Sequence, residues 1–241
     1  MKLTAAGLSD VGRERDHNED SYAVEDDLGL YIVCDGMGGH QAGEIASALA
    51  INAVVDYVKS HGDAADKVEM LAESAREANR RVIEEGSRNR KRKGMGSTLV
   101  AMLRDGDQMG IVHVGDSRAY LYRDHKMQRL TRDHSLIEEL AGDDPAALAA
   151  LGGYSNVITR AIGTAPDTQP DKRTEAMRPG DLFLLCSDGL CGVVKDADIE
   201  KVLLRVGDEL DLAAACKLLV QRANEHGGPD NISTVLVCVE A

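Results

Sequence analysis

Three apolar runs end abruptly in aspartate beside glycine: Tyr31-Ile-Val-Cys-Asp35-Gly36, Ile111-Val-His-Val-Gly115-Asp116 and Leu182-Phe-Leu-Leu-Cys-Ser-Asp188-Gly189. A fourth acid, Asp230, opens the last apolar run in Gly228-Pro-Asp230-Asn231-Ile-Ser-Thr-Val, and Asp20 stands just before another in Asn18-Glu19-Asp20-Ser21. Any one Asp-Gly pair reads as a turn, since both residues are common turn formers. Repeated at strand ends, the pairing places carboxylates on the rim of a rigid scaffold, where glycine lets a carbonyl or ligand come close. Carboxylates crowded there raise one another's pKa, so the arrangement calls for a compensating cation. The candidates are all oxygen donors without paired His or Cys, which selects Mg²⁺ or Mn²⁺ over Zn²⁺ or Cu. The EF-hand spacing, HExxH and the GxxxxGK[ST] phosphate loop are absent. Two hard cations sharing a carboxylate suit hydrolysis at phosphorus: they lower the pKa of a bridging water and neutralise charge on the phosphoryl oxygens.

The elements that must position these acids are short strands and paired helices. Strands are expected at Ser21–Val24, Leu30–Cys34, Thr98–Leu103, Met109–Val114, Ala119–Tyr122, Met127–Leu130, Leu182–Cys186 and Ile232–Val239, several joined by hairpin turns such as Asp105-Gly106-Asp107. Apolar residues at three- and four-residue spacing predict helices over Gly43–Lys59 and Ala64–Glu85, with two more at about Asp196–Arg205 and Glu209–Glu225. Consecutive hairpins with inserted helix pairs indicate an α+β fold of antiparallel sheets covered by helices. No Pro- or Ser-rich linker or internal repeat divides the chain, so residues 1–241 are expected to form one domain. A surface excursion is expected from Ser135 to Asn156, where Gly142, Pro145 and Gly152-Gly153 interrupt helical pieces.

Composition sets the outer limits. The 241 residues carry 28 Lys+Arg against 41 Asp+Glu, a net charge of −13 that argues against general nucleic-acid binding. With six Tyr, one Phe and no Trp, aliphatic side chains must fill the core. Four of the five cysteines (Cys34, Cys186, Cys191, Cys216, Cys238) lie in or beside Val/Leu/Ile runs, which reads as buried, reduced thiols of a cytoplasmic protein. The segment MKLTAAGLSDVG is too short for a signal-peptide core. Ile45–Val55 falls short of the roughly 18 residues that span a bilayer, so no membrane association is expected.

Taken in order, Arg15-x-x-Asn18-Glu19-Asp20, Asp35-Gly36-Met37-Gly38-Gly39-His40, Gly94-Met95-Gly96-Ser97-Thr98, Gly115-Asp116-Ser117-Arg118, Ile158-Thr159-Arg160-Ala161-Ile162-Gly163, Ser187-Asp188-Gly189 and Gly228-x-Asp230-Asn231 resemble the bacterial metal-dependent serine/threonine protein phosphatases of type 2C. The match runs from Ser9 to Val237. The resemblance implies a four-layer α-β-β-α sandwich, two antiparallel sheets flanked by helix pairs, with a variable flap at about 135–156. It implies that Asp35 bridges two Mn²⁺ or Mg²⁺ ions, that the Gly36 carbonyl binds one, and that Asp188 and Asp230 complete the other. Asp116 with Asp188 corresponds to a weaker third metal site, and Glu19, Asp20 and Asn231 to residues behind the ligands. Arg15 matches the phosphate-binding arginine, whose guanidinium makes two parallel hydrogen bonds that lysine cannot reproduce. His40 is a candidate substrate contact. The implied reaction is hydrolysis of phosphoserine or phosphothreonine in proteins by a metal-bridging hydroxide, opposing a bacterial Ser/Thr kinase, and a monomer is expected. A non-catalytic phosphoprotein-binding module and a phosphoesterase acting on small molecules are the competing readings.

Two other signals remain. Cys216-x5-Arg222 has the spacing of cysteine-dependent phosphatases, but sits in a helical stretch without an anion-cradling loop. Arg88–Lys93, RNRKRK, is the only dense basic run. It reads either as a solvated helix end or as an attractor for acidic phosphopeptides against the global charge.

Overall fold

Strands buried on both faces read as continuous apolar runs, and the runs that end in aspartate are of this kind. In the computed structural model, which describes residues 1–39, 41–141, 157–209 and 211–240, they lie inside two antiparallel sheets. The first sheet has the order β1 (Lys2–Asp10), β11 (Ile232–Glu240), β10 (Leu182–Cys186), β7 (Arg118–Arg123) and β8 (Lys126–Arg129). The second runs β2 (Asp20–Glu25), β3 (Leu30–Met37), β5 (Leu99–Asp105), β6 (Gln108–Val114) and β9 (Asp171–Ala176), with β4 (Gly96–Ser97) paired to the end of β3.

Because side chains alternate across a strand, each run feeds two cores. Tyr31, Val33, Val100, Met102 and Ile111 face Leu121, Phe183, Leu185, Val235 and Val237 between the sheets. Leu30, Ile32 and Cys34 face the opposite way, against α1 (Gln41–Ser60) and α2 (Lys67–Arg88). On the far side Tyr120, Leu184, Cys186 and Leu236 pack under α5 (Asp196–Leu203) and α6 (Leu212–Glu225). The expected four-layer α-β-β-α sandwich is present. Asp66 caps α2 through the Glu69 amide (2.9 Å) and Asp211 caps α6 through the Ala214 amide (2.7 Å), which satisfies donors that a helix start leaves open.

Three elements depart from expectation. The segment read only as a brief apolar stretch is β1, a nine-residue strand paired with β11 from Lys2↔Glu240 to Asp10↔Ile232. Its small, half-covered side chains give weak alternation, and its partner's ladder holds it. Strand β9, Asp-Lys-Arg-Thr-Glu-Ala, is polar and mostly exposed and is fixed by its register with β6 alone. After β10 the chain makes one helical turn, α4 (Asp188–Cys191). Of the expected excursion, α3 (Leu136–Ala141) and the Ser135↔Ile158 bridge are described, and residues 142–156 lie outside the described residues, as does His40.

Candidate metal centre

Register sets the site. Asp20 and Asp35 are direct partners at the open end of the β2–β3 ladder. The Asp35 amide donates to Thr98 Oγ1 (2.9 Å), its carbonyl accepts from the Thr98 amide (2.8 Å) and from Ser97 Oγ (2.9 Å), and Thr98 Oγ1 shares a 2.7 Å hydrogen bond with Ser117. Hydroxyl groups thus lock the backbone of Asp35 to the turn that carries Asp116. At Gly36 an added Cβ would lie 2.1 Å from the Gly43 carbonyl oxygen and 2.5 Å from that of Glu19, so only glycine lets the Glu19 loop and α1 close over this strand end.

The second sheet contact is equally tight. A Cβ on Gly189 would lie 1.9 Å from the Asn231 carbonyl oxygen, which brings the first turn of α4, with Asp188, against the start of β11, with Asp230. Asn231 joins both to the N-terminal loop: its Oδ1 accepts from the Glu19 amide (2.7 Å) and its Nδ2 donates to the carbonyls of Val11 and His17 (2.9 Å each). Ser187 donates to Asp20 Oδ2 (2.7 Å).

The carboxylates brought together repel. Burial, then Asp20 and Asp188, holds Asp35 well above the usual carboxylate range, and burial does the same for Asp188. Asp20 is pushed up to about 7 by burial, with Asp188 and Asp230 adding to it. Asp116 reaches about 7 through burial and then Asp188 and Asp133. One oxygen each of Asp20, Asp116 and Asp188 is buried without a hydrogen-bond partner. Buried oxygens without donors, on acids that burial and mutual repulsion keep from ionising, have the chemistry of a donor set for a hard divalent cation.

At the exposed lip, Arg15 Nη2 meets Asp230 Oδ2 at 2.7 Å, and Arg15, Asp16, His17, Glu19 and Asn231 line a depression of about 260 Å³. Within the acidic N-terminal loop the nearer candidates were Glu14 and Asp16, yet its partner is 215 residues away. Every sequence-derived site residue within the described residues lies in this one region: Arg15, Glu19, Asp20, Asp35, Gly36, Asp116, Asp188, Asp230 and Asn231. Sequence reasoning assigned no role to the hydroxyls of Ser97, Thr98, Ser117 and Ser187. Their signal was adjacency, since each neighbours or shares a motif with an acid of the rim.

Outside the rim, His113, His134 and Asp171 also converge. His113 Nε2 donates to the Arg132 carbonyl (2.8 Å), as befits a satisfied structural histidine. His134 Nδ1 accepts from the Gly115 amide (3.1 Å), so the neutral ring carries its hydrogen on Nε2, 3.4 Å from Asp171 Oδ2, and Arg160 already pairs with Asp171 at 2.8 Å. The cluster ties β6, β9 and the base of the excursion together, and Arg160 already offsets the charge of Asp171. Cys216 is buried in α6, its thiol donating to the Ala6 carbonyl (3.4 Å) and pushed up by burial, the opposite of a nucleophilic thiolate.

With this geometry in hand, comparison with known proteins is informative. Residues 12–236 match the family model for protein phosphatase 2C. The serine/threonine phosphatase stp of Listeria monocytogenes is 35% identical over 237 residues, covering 95% of this chain and 93% of that protein. The crystal structure of the Mycobacterium tuberculosis serine/threonine phosphatase PstP/Ppp superposes with a TM-score of 0.90 at 33% identity, covering 100% of both chains. The PstP catalytic domain in complex with two manganese ions superposes at 0.85 with 32% identity, covering 99% of both. An ordered set of motifs, a four-layer sandwich and a carboxylate rim at its open edge agree with these matches, and the chain belongs to the protein phosphatase 2C family.

Proposed function

We propose that this chain, a serine/threonine protein phosphatase by family, hydrolyses phosphoserine and phosphothreonine in proteins at the carboxylate rim. Asp35 would lie between two divalent cations, Mn²⁺ or Mg²⁺, with the Gly36 carbonyl serving one and Asp188 and Asp230 the other. Asp116 with Asp188 offers a weaker third position, and Glu19, Asp20 and Asn231 stand behind the ligands. The observation that carries this reading is the set of buried, partnerless oxygens on Asp20, Asp116 and Asp188. When bound, the cations supply an acidified water and positive charge for the phosphoryl oxygens.

The chain's own residues do the rest. Arg15, half exposed and lining the depression, donates Nη2 to Asp230 (2.7 Å) and Nε to the Pro229 carbonyl (3.4 Å); a phosphoryl group that displaces these partners can take two parallel hydrogen bonds from its guanidinium. Asn231 holds the Val11–Glu19 loop, and with it Arg15, in register with Asp230. The Ser97–Thr98–Ser117 hydroxyls fix Asp35 relative to Asp116 without neutralising either.

The two sheets share one central core, which supports reading residues 1–241 as a single phosphatase unit. The rim is complete within one chain, so a monomer suffices as the active species. Substrates of this kind must be supplied by a protein Ser/Thr kinase. The five free cysteines suit a reducing cytoplasm, and among the described residues no helix is long and apolar enough to cross a membrane.

The test is hydrolysis of p-nitrophenyl phosphate and of phosphothreonine peptides with Mn²⁺, against an EDTA control. Asp35→Asn should lower kcat by at least about 10³, since it removes the carboxylate on which both cations converge. Wild-type-like turnover by this variant, or a trapped phosphorylated Cys or Asp in place of solvent ¹⁸O entering phosphate in one turnover, would overturn the reading.

A further inference from the structure

The basic run Arg88–Lys93 separates into two sets. Arg88 reaches back to Glu84 (3.6 Å) and Arg92 pairs with Glu85, so both are engaged by the last turns of α2. Arg90, Lys91 and Lys93 are exposed, and among the described residues their side chains form no ion pair or hydrogen bond. In a chain of net charge −13, three neighbouring cations without carboxylate partners are a local reversal of sign. Arg90 and Lys93 line a groove of about 410 Å³ together with Val82, Ile83, Met95 and Gly163.

The groove is linked to the rim through the chain. Ser97, four residues beyond Lys93, is the ladder partner of Gly36, and Gly96 is that of Met37. Ser97 and Ile162 exchange both backbone hydrogen bonds (2.9 and 2.8 Å), which ties Gly163, a lining residue of the groove, to the strand that pairs with the end of β3. Four residues of chain span at most about 14 Å and the ladder step from Ser97 to Gly36 adds about 5 Å, so a ligand seated against Lys93 lies within about six extended residues of a phosphoryl group at Asp35.

We propose that this groove is the docking site for acidic side chains of the phosphoprotein substrate, placed within about six residues of the phosphorylated serine or threonine. The proposal rests on the phosphatase reading above. Its physical ground is range: salt confines the field of exposed charges to roughly 10 Å, so the overall negative charge opposes approach while Arg90, Lys91 and Lys93 attract carboxylates seated directly against them. The apolar lining adds contact for the aliphatic part of the peptide.

The experiment compares three substrates under Mn²⁺: a phosphothreonine peptide with Asp three to six residues to either side, the same peptide with Asn in those places, and p-nitrophenyl phosphate. Arg90→Ala/Lys93→Ala should lower kcat/KM for the acidic peptide about fivefold at low salt and leave the other two within about 1.5-fold, as expected for two exposed charge pairs. High salt should erase the wild-type preference for the acidic peptide. Arg90→Glu/Lys93→Glu should transfer the preference to a peptide with Lys in those places. An equal loss on all three substrates, or an acidic preference that survives charge reversal, overturns the docking site. A wild type that hydrolyses the three without preference does so too, whereas a wild type inert toward p-nitrophenyl phosphate with Mn²⁺ overturns the phosphatase reading instead.

Discussion

Replacing Asp116 by asparagine tests whether the rim stores electrostatic repulsion. Asp116 is 8% exposed, one of its oxygens has no partner, and its carboxyl is pushed up from 3.8 to about 7 by burial and then by Asp188 and Asp133. A carboxyl with a raised folded-state pKa contributes stability that is full below the unfolded value and is lost as pH rises through the folded value. Between about pH 5 and pH 7 the metal-free wild type therefore loses roughly two units at 1.36 kcal/mol each, close to 3 kcal/mol, through this group alone. Asparagine has the shape of the protonated acid and does not titrate. In EDTA, the Tm advantage of Asp116→Asn over the wild type should widen by about 5–10 °C between about pH 5 and pH 8, at the 2–4 °C per kcal/mol expected of a chain this long, the two converging only as pH falls toward the unfolded value. Histidine contributions cancel in the comparison; His134, held near 4 by burial, is common to both proteins. With excess Mn²⁺ the order should invert, because the ionised carboxylate is then an asset. Differential scanning calorimetry across the pH range decides it. A variant destabilised equally at both pH values in EDTA would show that Asp116 serves packing, and the repulsion argument would fail.

Two further substitutions probe the geometry. Gly189→Ala should cost more than about 3 kcal/mol, since its Cβ meets the Asn231 carbonyl oxygen at 1.9 Å and neither backbone is free to yield; an unchanged Tm and undiminished Mn²⁺ uptake by calorimetry would refute the enforced contact between α4 and β11. Arg15→Lys keeps the charge but loses the parallel pair of N–H donors, so kcat/KM for p-nitrophenyl phosphate should fall about 10²-fold with the Mn²⁺ affinity unchanged. Equal kcat/KM would remove Arg15 from phosphate binding.

What the sequence displayed and what it hid follow from the range of the forces involved. Strands β3, β6, β10 and β11 were legible because both their faces are buried, and the acids were legible because they interrupt apolar runs at fixed places. Strand β9 has no apolar pattern because it lies at an edge with most side chains in water, and β1 has little because its side chains are only half covered. Both exist through ladders with strands remote in sequence. The Arg15–Asp230 pair was hidden for the same reason: local sequence offers Glu14 and Asp16, and only the antiparallel closure of β1 on β11 brings residue 230 within reach.

That closure also explains why the rim is rigid while carrying charges that oppose it. The groups that touch the buried acids are neutral: Ser187 donates to Asp20, Thr98 and Ser97 bond the backbone of Asp35, and Ser117 ties Thr98 to the Asp116 turn. The nearest buried cation, Arg118, is engaged by Asp133 through three hydrogen bonds of 2.8–3.1 Å. Hydroxyls can fix position without supplying charge, so the acids are held in place by a scaffold that leaves their repulsion only partly offset, by Arg15 beside Asp230 and by Arg118 near Asp116 and Asp188. A scaffold built this way gains from a divalent cation what its own side chains withhold, and metal uptake is thereby coupled to proton release and to folding stability.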